Sequence, residues 1–440
     1  MSRCIFANAN LLDGDRPARS DVSVVVEGER IASVQAGPLR DRRPDDRVID
    51  LAGRTLMPGL ILSHFHATFF DYNTRQAPSL GLEHTPTILS LLAQRHVKLV
   101  LDSGFTSLVS ASCPHNIDAS IRDAINIGLI PGPRMWAASH ELCSSGDGLD
   151  AQNLYWHYQL GSAGTARKAD GPDGFRTAVR EEIAWGADIV KLNVSGGHGV
   201  APAGERMAVL PEELRAAADA AHLRGKKVRA HVASKCGILE CARAGFDVID
   251  HADLMDAECI DAILEAGSIV VPSMLFVQRF LSAMEPIDFE NEEQVMTGAP
   301  RIESGRDIAQ RIRAVREDFE YTRSILPEAH AAGIPMVIGD DYGTAVLRQG
   351  EYAKELEFYV KDIGIPPLDV IRWATKNGAA LMDRADDLGT VEEGKLADLL
   401  VVDGDPVADI SCLQQQDKLH AIVKSGYFVK DALAPSPPTA

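Results

Sequence analysis

Short apolar runs mark both ends of the chain. Over residues 3–57 they are separated by Gly-rich and Asp-rich spacers, the pattern of strands joined by turns. The same pattern returns from about Leu388, in runs such as 399–402 and 421–429. Because lone strands cannot cover their own edges and faces, we expect the two ends to pair. The pattern predicts one small β-sandwich built from 1–57 and 388–431, with a flexible tail over 432–440.

The middle of the chain has a different pattern, in which short apolar strands alternate with helical stretches. One predicted helix begins with Pro211-Glu212-Glu213 and ends at Arg224, before Gly225. Eight strand candidates lie around 58–66, 105–111, 134–139, 188–195, 227–233, 247–252, 268–274 and 335–341. Eight βα units predict an α/β fold in which 58–387 form a (β/α)8 TIM barrel, with a Rossmann-like open sheet as the alternative. The charged stretch 276–330 is predicted to be mostly helical.

Composition and charge narrow the function classes. Apolar residues at 45% and charged residues at 24% are ordinary for a globular protein. The net charge of −19 would repel nucleic acid. Seven cysteines without a CxxC pair indicate a reducing compartment, and no apolar run approaches the ~18 residues of a membrane span. We therefore expect a cytoplasmic protein, with a small-molecule substrate and no nucleic-acid or membrane partner, that forms a homo-oligomer.

Histidines stand at the C-terminal ends of three predicted strands. His64 and His66 end the first strand, and residues two apart on a strand face the same way. His231 and His251 end the fifth and sixth strands. Each alone is more often a satisfied core or loop histidine than a ligand. Because a barrel builds its active site at this end of its strands, the four together predict a metal site.

Two charged residues in apolar strands support that prediction. Lys191 lies in Asp188-Ile189-Val190-Lys191-Leu192, where an unpaired ammonium would be costly, and the alternative is a lysine that snorkels to the strand end. Near metal, a neutral amine can instead take up CO2 and become an anionic carbamate ligand. Asp340 ends the strand Met336-Val337-Ile338-Gly339, and its alternative role is to cap a helix. Beside a metal, Asp340 could bind the ion and carry a proton.

This set of residues resembles the amidohydrolase superfamily. The resemblance covers most of the chain, and its supporting motifs are Met57-Pro58-Gly59-Leu60, Ser195-Gly196-Gly197, Ala374-Thr375-Lys376-Asn377-Gly378-Ala379 and Gly389-Thr390-Val391-Glu392-Glu393-Gly394-Lys395-Leu396-Ala397-Asp398-Leu399. Within that superfamily the chain looks most like an imidazolonepropionase-like and prolidase-like branch. The branch includes Xaa-Pro and Xaa-Arg/Lys dipeptidases, ochratoxin amidases, and carbamate or urea hydrolases.

The resemblance implies two divalent metal ions, with Zn preferred and Co or Mn also fitting. It places His64, His66 and Asp340 on one ion, His231 and His251 on the other, and a carbamate formed from CO2 on Lys191 between them. It also implies cleavage of an amide-type C–N bond by a metal-bound hydroxide, with Asp340 carrying the proton to the leaving nitrogen. The substrate would be an aryl or acyl amide, an N-acyl amino acid or dipeptide, a carbamate or a urea.

The loops at the mouth of the predicted barrel hold the candidates for substrate contact. His198 is a catalytic candidate that could donate to the carbonyl or oxyanion oxygen, and a solvent-exposed loop histidine is its alternative reading. Asp147 stands where dipeptidase-like relatives often carry histidine, and Asp341 adds another acid. Both acids favour neutral substrates. His140, Arg206 and Tyr72 are secondary candidates.

Three rival functions remain open from the sequence. Phosphotriester or ester hydrolysis and cyclic amide hydrolysis use the same kind of scaffold, because a fold does not determine its chemistry. Lys191 argues against a deaminase. A non-enzymatic scaffold is disfavoured because all six ligand positions are filled.

Overall fold

The structure of the protein is a computed structural model. It describes residues 3–39, 41–70, 81–150, 164–198, 206–291, 295–296, 302–303 and 305–433. The predicted contact residue Tyr72 and most of the predicted tail lie outside these ranges.

Strands and helices are numbered here in chain order. The strands are β1 (Cys4–Leu11), β2 (Arg19–Glu27), β3 (Arg30–Ala36), β4 (Arg47–Asp50), β5 (Thr55–Pro58), β6 (Leu60–Leu62), β7 (Phe105–Val109), β8 (Arg134–Trp136), β9 (Ala138–Cys143), β10 (Ala166–Lys168), β11 (Ile189–Asn193), β12 (Lys227–Val232), β13 (Val248–His251), β14 (Ile269–Val271), β15 (Val295–Met296), β16 (Ile302–Glu303), β17 (Leu399–Val402), β18 (Leu419–Lys424) and β19 (Tyr427–Asp431). The helices are α1 (Pro86–Asp102), α2 (Ile117–Asn126), α3 (Gly171–Ala184), α4 (Pro211–His222), α5 (Lys235–Ala244), α6 (Ala257–Ala266), α7 (Met274–Met284), α8 (Gly305–Ala331), α9 (Ala353–Phe358), α10 (Pro367–Arg372) and α11 (Gly378–Leu381).

The two ends of the chain pair with each other, as the sequence predicts, and together they build one sheet. Its strand order is β19-β18-β17-β5-β1-β2-β3, with β4 paired to β1. The ends meet where β17 runs antiparallel to β5, with Leu400 opposite Met57. Alternate residues of these strands are buried in a shared apolar cluster that includes Phe6, Leu56 and Val401. This module therefore needs both termini.

The central strands are parallel and form the predicted barrel. One run of pairs joins β6, β7 and β8, and a second joins β9, β11, β12, β13 and β14. β8 and β9 follow each other along the third strand position, interrupted at Ala137. Residues 335–338 fill the eighth position, because the Val337 amide donates to Val270 O (3.0 Å) and Ser63 donates to Ile338 O (2.7 Å). These two bonds join the last strand to the seventh and to the first.

The βα connections follow ordinary capping rules. Ser234 accepts a hydrogen bond from the Gly237 amide at the start of α5, and Asp256 accepts one from the Cys259 amide at the start of α6. Gly245 and Gly267 end these helices in the left-handed conformation. The helix predicted from Pro211 is α4, and the stretch 276–330 contains most of α7 and α8. Across the described ranges, every helix is either too short or too polar to traverse a bilayer.

Candidate metal centre

Three side chains, two that follow the first barrel strand and one that follows the eighth, converge on one point. His64 and His66 follow β6, and Asp341 follows the eighth strand. The two Nε2 atoms are 3.2 Å apart, and Oδ1 of Asp341 is 3.1 Å from each of them. Donors around a tetrahedral Zn²⁺ at bond lengths of 2.0–2.1 Å lie roughly 3.3 Å from one another. The spacing and the donor types therefore fit one divalent ion.

A second group of donors shares Asp341. His198, His251 and Asp341 each offer an atom, and the three atoms lie within 4.8 Å of one another. His251 ends β13, and His198 lies beyond β11. Both histidines have positive φ, 48° at His198 and 74° at His251, which non-glycine residues adopt rarely. Such backbone strain is common where a fold holds a functional side chain in place.

Asp340, which the sequence predicts as a ligand, belongs to neither donor group found among the described residues. Its Oδ1 accepts a hydrogen bond from the Asp341 amide at 2.8 Å, and its Oδ2 accepts one from the Phe276 amide at 3.0 Å. Burial, and then the neighbouring Asp341 carboxylate, raise the pKa of Asp340. Asp340 therefore holds the start of α7 against the strand end, and the next residue points to the histidines.

Lys191 is buried as predicted, and its amine is paired. Nζ lies 2.5 Å from Oδ2 of Asp250, a carboxylate on β13 that is itself fully buried. Lys191 belongs to neither donor group found among the described residues. Its side chain nevertheless shares Asp250 with His64, whose Nδ1 is 3.3 Å from Oδ1 of Asp250.

Arg229 completes this buried network beneath the donor groups. Its Nε and Nη2 donate to the two oxygens of Asp250, at 3.0 and 2.5 Å. Nη1 donates to the carbonyls of Ser63 and Ser110, both at 3.0 Å, and Nη2 lies 3.1 Å from Nδ1 of His64. The guanidinium thus connects His64 with Asp250, Ser63 and Ser110, which lie on or just after three different barrel strands. Arg229, Lys191 and their neighbours hold the carboxylate ionised and its pKa well below the usual range, despite burial.

His231 ends β12 as predicted but lies outside both donor groups. Its Nε2 is 3.3 Å from the carbonyl of Gly197, and its ring centroid is 4.4 Å from that of His251. Burial, and then the nearby Lys191 charge, lower the pKa of His231 to about 3. Burial also lowers the pKa of His64 and of His251. A lowered pKa favours the neutral form of these histidines, which is the form that binds a metal.

The other predicted contact residues lie in different surroundings. His140 is buried with both ring nitrogens engaged: Nδ1 is 3.1 Å from Glu182, and Nε2 accepts from the His115 amide. Arg206 is exposed. Asp147 is buried and accepts a 2.5 Å hydrogen bond from Nδ2 of Asn193 on β11, and burial raises its pKa to about 6. The structure thus separates His140 from the donor groups and places Asp147 beside the strand of Lys191.

Sequence reasoning missed Arg229, Asp250 and Asp253. The first two are charges in otherwise apolar strands, so the argument that singled out Lys191 applies to them equally. Their opposite signs on neighbouring strands were the available signal for a buried pair. Asp253 follows His251 in a loop and lies 3.0 Å from Nδ1 of His198, a contact that spacing along the chain does not indicate.

Comparison with known proteins gives a consistent picture. A model of the family described as "Amidohydrolase family" matches residues 55–429. An ochratoxinase from Aspergillus niger is 26% identical over 445 residues, covering 96% of this chain and 85% of the relative. Nearly the whole chain is therefore similar to that enzyme.

Solved structures agree with the fold. The crystal structure of a Xaa-Pro dipeptidase with bound methionine superposes with a TM-score of 0.84 at 28% identity, covering 98% of this chain and 100% of that one. The structure of molinate hydrolase superposes with a TM-score of 0.77 at 20% identity, over 100% of this chain and 98% of that one. At that identity, molinate hydrolase supports the fold alone.

Proposed function

The chain belongs to the amidohydrolase family and is a hydrolase, and we propose that it is a metal-dependent enzyme that cleaves an amide-type C–N bond in a small neutral molecule. The observation that carries this proposal is the convergence of two imidazole nitrogens and a carboxylate oxygen at 3.1–3.2 Å. These donors stand at the end of the barrel strands where such folds build active sites.

The proposed ligands of the first ion are His64, His66 and Asp341. A second ion is proposed at His251 and Asp341, with His231 and a carbamate on Lys191 as the further ligands that the resemblance implies. Divalent ions in such a centre polarise a carbonyl group and make water a stronger nucleophile at neutral pH. Imidazole and carboxylate donors suit Zn²⁺ first, with Co²⁺ and Mn²⁺ as alternatives.

The side chains around the ions have separate tasks in this proposal. Asp250 would accept a hydrogen bond from the Nδ1–H of His64, which leaves the Nε2 lone pair of His64 available to the ion. Oδ1 of Asp341 faces both histidines of the first group, and the Asp341 carboxylate would take a proton from the attacking water and pass it to the departing nitrogen. The sequence predicts this proton-transfer role for Asp340, and the proposal assigns it to Asp341 instead.

The acids near the strand ends favour neutral substrates. Asp147 is buried beside Asn193, two residues after Lys191, and a carboxylate on the substrate would face it unfavourably. Neutral amides, carbamates and ureas avoid this repulsion. Two similar proteins bear the names ochratoxinase and Xaa-Pro dipeptidase, so ochratoxin and dipeptides stay within the range to test.

The test is a substrate screen with metal-loaded protein. Dipeptides, N-acyl amino acids, aryl amides, carbamates and phenylureas are incubated with enzyme loaded with Zn²⁺, and release of the amine is measured. We expect turnover within one of these classes and its loss on chelation, with recovery when Zn²⁺ is returned. Binding of less than one equivalent of metal, or amine release that survives chelation, would overturn the proposal.

A further inference from the structure

His198 is held in place by a carboxylate. Its Nδ1 lies 3.0 Å from Oδ1 of Asp253, and the histidine is 4% exposed. Asp253 is fixed in turn, because its carbonyl accepts a 2.7 Å hydrogen bond from the hydroxyl of Thr322 on α8. The imidazole therefore has one nitrogen committed to a buried anchor.

The other ring nitrogen of His198 has no protein partner. Nε2 is buried and makes no hydrogen bond to any described residue. Native proteins rarely leave a buried polar atom without a partner, because burial removes its hydrogen bonds to water. His198 and Asp253 also line a cleft with Met274.

A second buried histidine provides an internal contrast. His140 is likewise paired through Nδ1 with a buried carboxylate, that of Glu182. Its Nε2, however, accepts a hydrogen bond from the His115 amide at 3.1 Å. Hydrogen bonds within the protein therefore satisfy both ring nitrogens of His140 but only one ring nitrogen of His198.

His198 lies among metal donors. His198, His251 and Asp341 offer atoms within 4.8 Å of one another, and the rings of the two histidines are stacked with centroids 3.8 Å apart. Nδ1 of His251 is also buried without a hydrogen-bond partner among the described residues. Metal-binding histidines almost always donate their second ring N–H to a carboxylate or carbonyl, as His198 does to Asp253.

We propose that His198 is a ligand of the second metal ion, together with His251 and Asp341, and that Asp253 positions it. The ligand set implied by the family resemblance does not include His198. The inference rests on the proposed metal dependence of the enzyme. It makes Asp341 common to both ions, and it replaces the role of substrate contact predicted for His198.

Cobalt binding tests the proposal without relying on turnover. Metal-free wild type and His198→Gln are titrated with Co²⁺, followed by calorimetry and by the visible absorption of the ion. We expect two equivalents in the wild type. In His198→Gln, one equivalent of Co²⁺ should bind with unchanged affinity. The other should bind at least about 100-fold more weakly and show an altered absorption spectrum. Asp253→Asn should weaken the same equivalent by about 10–100-fold, the usual effect of losing such an anchor.

His140→Gln is the matched control, since it also removes a buried, carboxylate-paired histidine. It should retain both equivalents, and thermal unfolding of the metal-free proteins checks that all variants are folded. Two equivalents with an unchanged spectrum in His198→Gln would overturn the inference alone, and a loss of activity in that variant would then assign His198 to the substrate. Absence of metal uptake by the wild type would overturn the proposed function as well.

Discussion

Asp340 and Asp341 are adjacent acids that contact different parts of the protein. Asp341 reaches both histidines of the first donor group, whereas both oxygens of Asp340 accept backbone amides. The division follows from the turn after the eighth strand, which points successive side chains in different directions. The two acids therefore make different contacts, Asp341 with the histidines and Asp340 with the backbone.

We expect substitution of the two acids by asparagine to separate these functions. Asp341→Asn should weaken Zn²⁺ binding by at least roughly 100-fold, since an outer-shell group alone contributes 10–100-fold. Asp340→Asn leaves one of two amides without an acceptor and should cost about 1–3 kcal/mol of stability. Calorimetry with Zn²⁺ and urea unfolding of the metal-free proteins measure the two effects. Loss of metal affinity only in Asp340→Asn would return the ligand role to Asp340.

Arg229 and Asp250 should behave as one unit. Removal of either partner leaves a buried charge, so Arg229→Met and Asp250→Leu should each lose about 3–5 kcal/mol. The double variant retains neither charge of this pair. Its loss of unfolding free energy should therefore be smaller, by about 0.5–3 kcal/mol, than the sum of the losses in the two single variants. Urea unfolding of the four metal-free proteins forms the cycle. Strict additivity would show that the pair does not couple in the folded state.

The residues of the site differ in how far a sequence can predict them. The spacing of His64 and His66 places both on one side of a strand end, and the structure places them together. Asp340 and Asp341 could not be separated by pattern, because the direction of each side chain depends on backbone angles beyond the strand. Contacts between distant loops, such as His198 with Asp253, have no periodic signal at all.

At the scale of elements, the first and eighth strands meet through a glycine. A Cβ on Gly339 would lie 2.2 Å from the His64 amide nitrogen, and the φ of Gly339 is 148°. Seven of the eight predicted barrel strands recur as strands, and the eighth contributes a single parallel bridge from Met336 to Val270. Apolar runs buried on both faces are a strong local signal. The closeness of these two strands is a tertiary property, and only the glycine itself indicates it.

Gly339→Ala should therefore displace His64, whose side chain is a proposed ligand of the first metal ion. We expect a loss of about 1–3 kcal/mol from the backbone angle and a comparable loss from overpacking, together with weaker Zn²⁺ binding. Gly333→Ala is the matched control, since its φ is 93° but a Cβ there meets nothing within 4 Å. The control should show only the backbone cost and unchanged metal affinity in calorimetry. Equal metal binding by both variants would contradict this view of the strand contact.

At the scale of the whole molecule, the sheet built from the two ends is joined to the barrel by backbone hydrogen bonds. The Gly59 amide donates to Asp398 O at 2.9 Å, which connects the C-terminal segment to the start of β6. The pairing of the ends was predictable because each end alone leaves apolar strand faces uncovered. The order of strands within that sheet was not, since many pairings would bury the same faces.

Global stability should depend on pH through His96, a buried residue of α1 whose Nδ1 is 2.8 Å from the carbonyl of Ala67. Burial lowers its pKa from 6.5 to about 4. Between those values the unfolded chain binds a proton that the folded protein does not, so stability is full above pH 6.5 and falls as the pH drops towards 4. At 1.36 kcal/mol per pKa unit, the loss attributable to His96 is about 2.5 kcal/mol at pH 4.5. His96→Gln, which can still donate to the carbonyl, should lose correspondingly less stability between pH 7 and pH 4.5 in urea unfolding. Parallel pH profiles for the two proteins would show that His96 is protonated without penalty in the folded state.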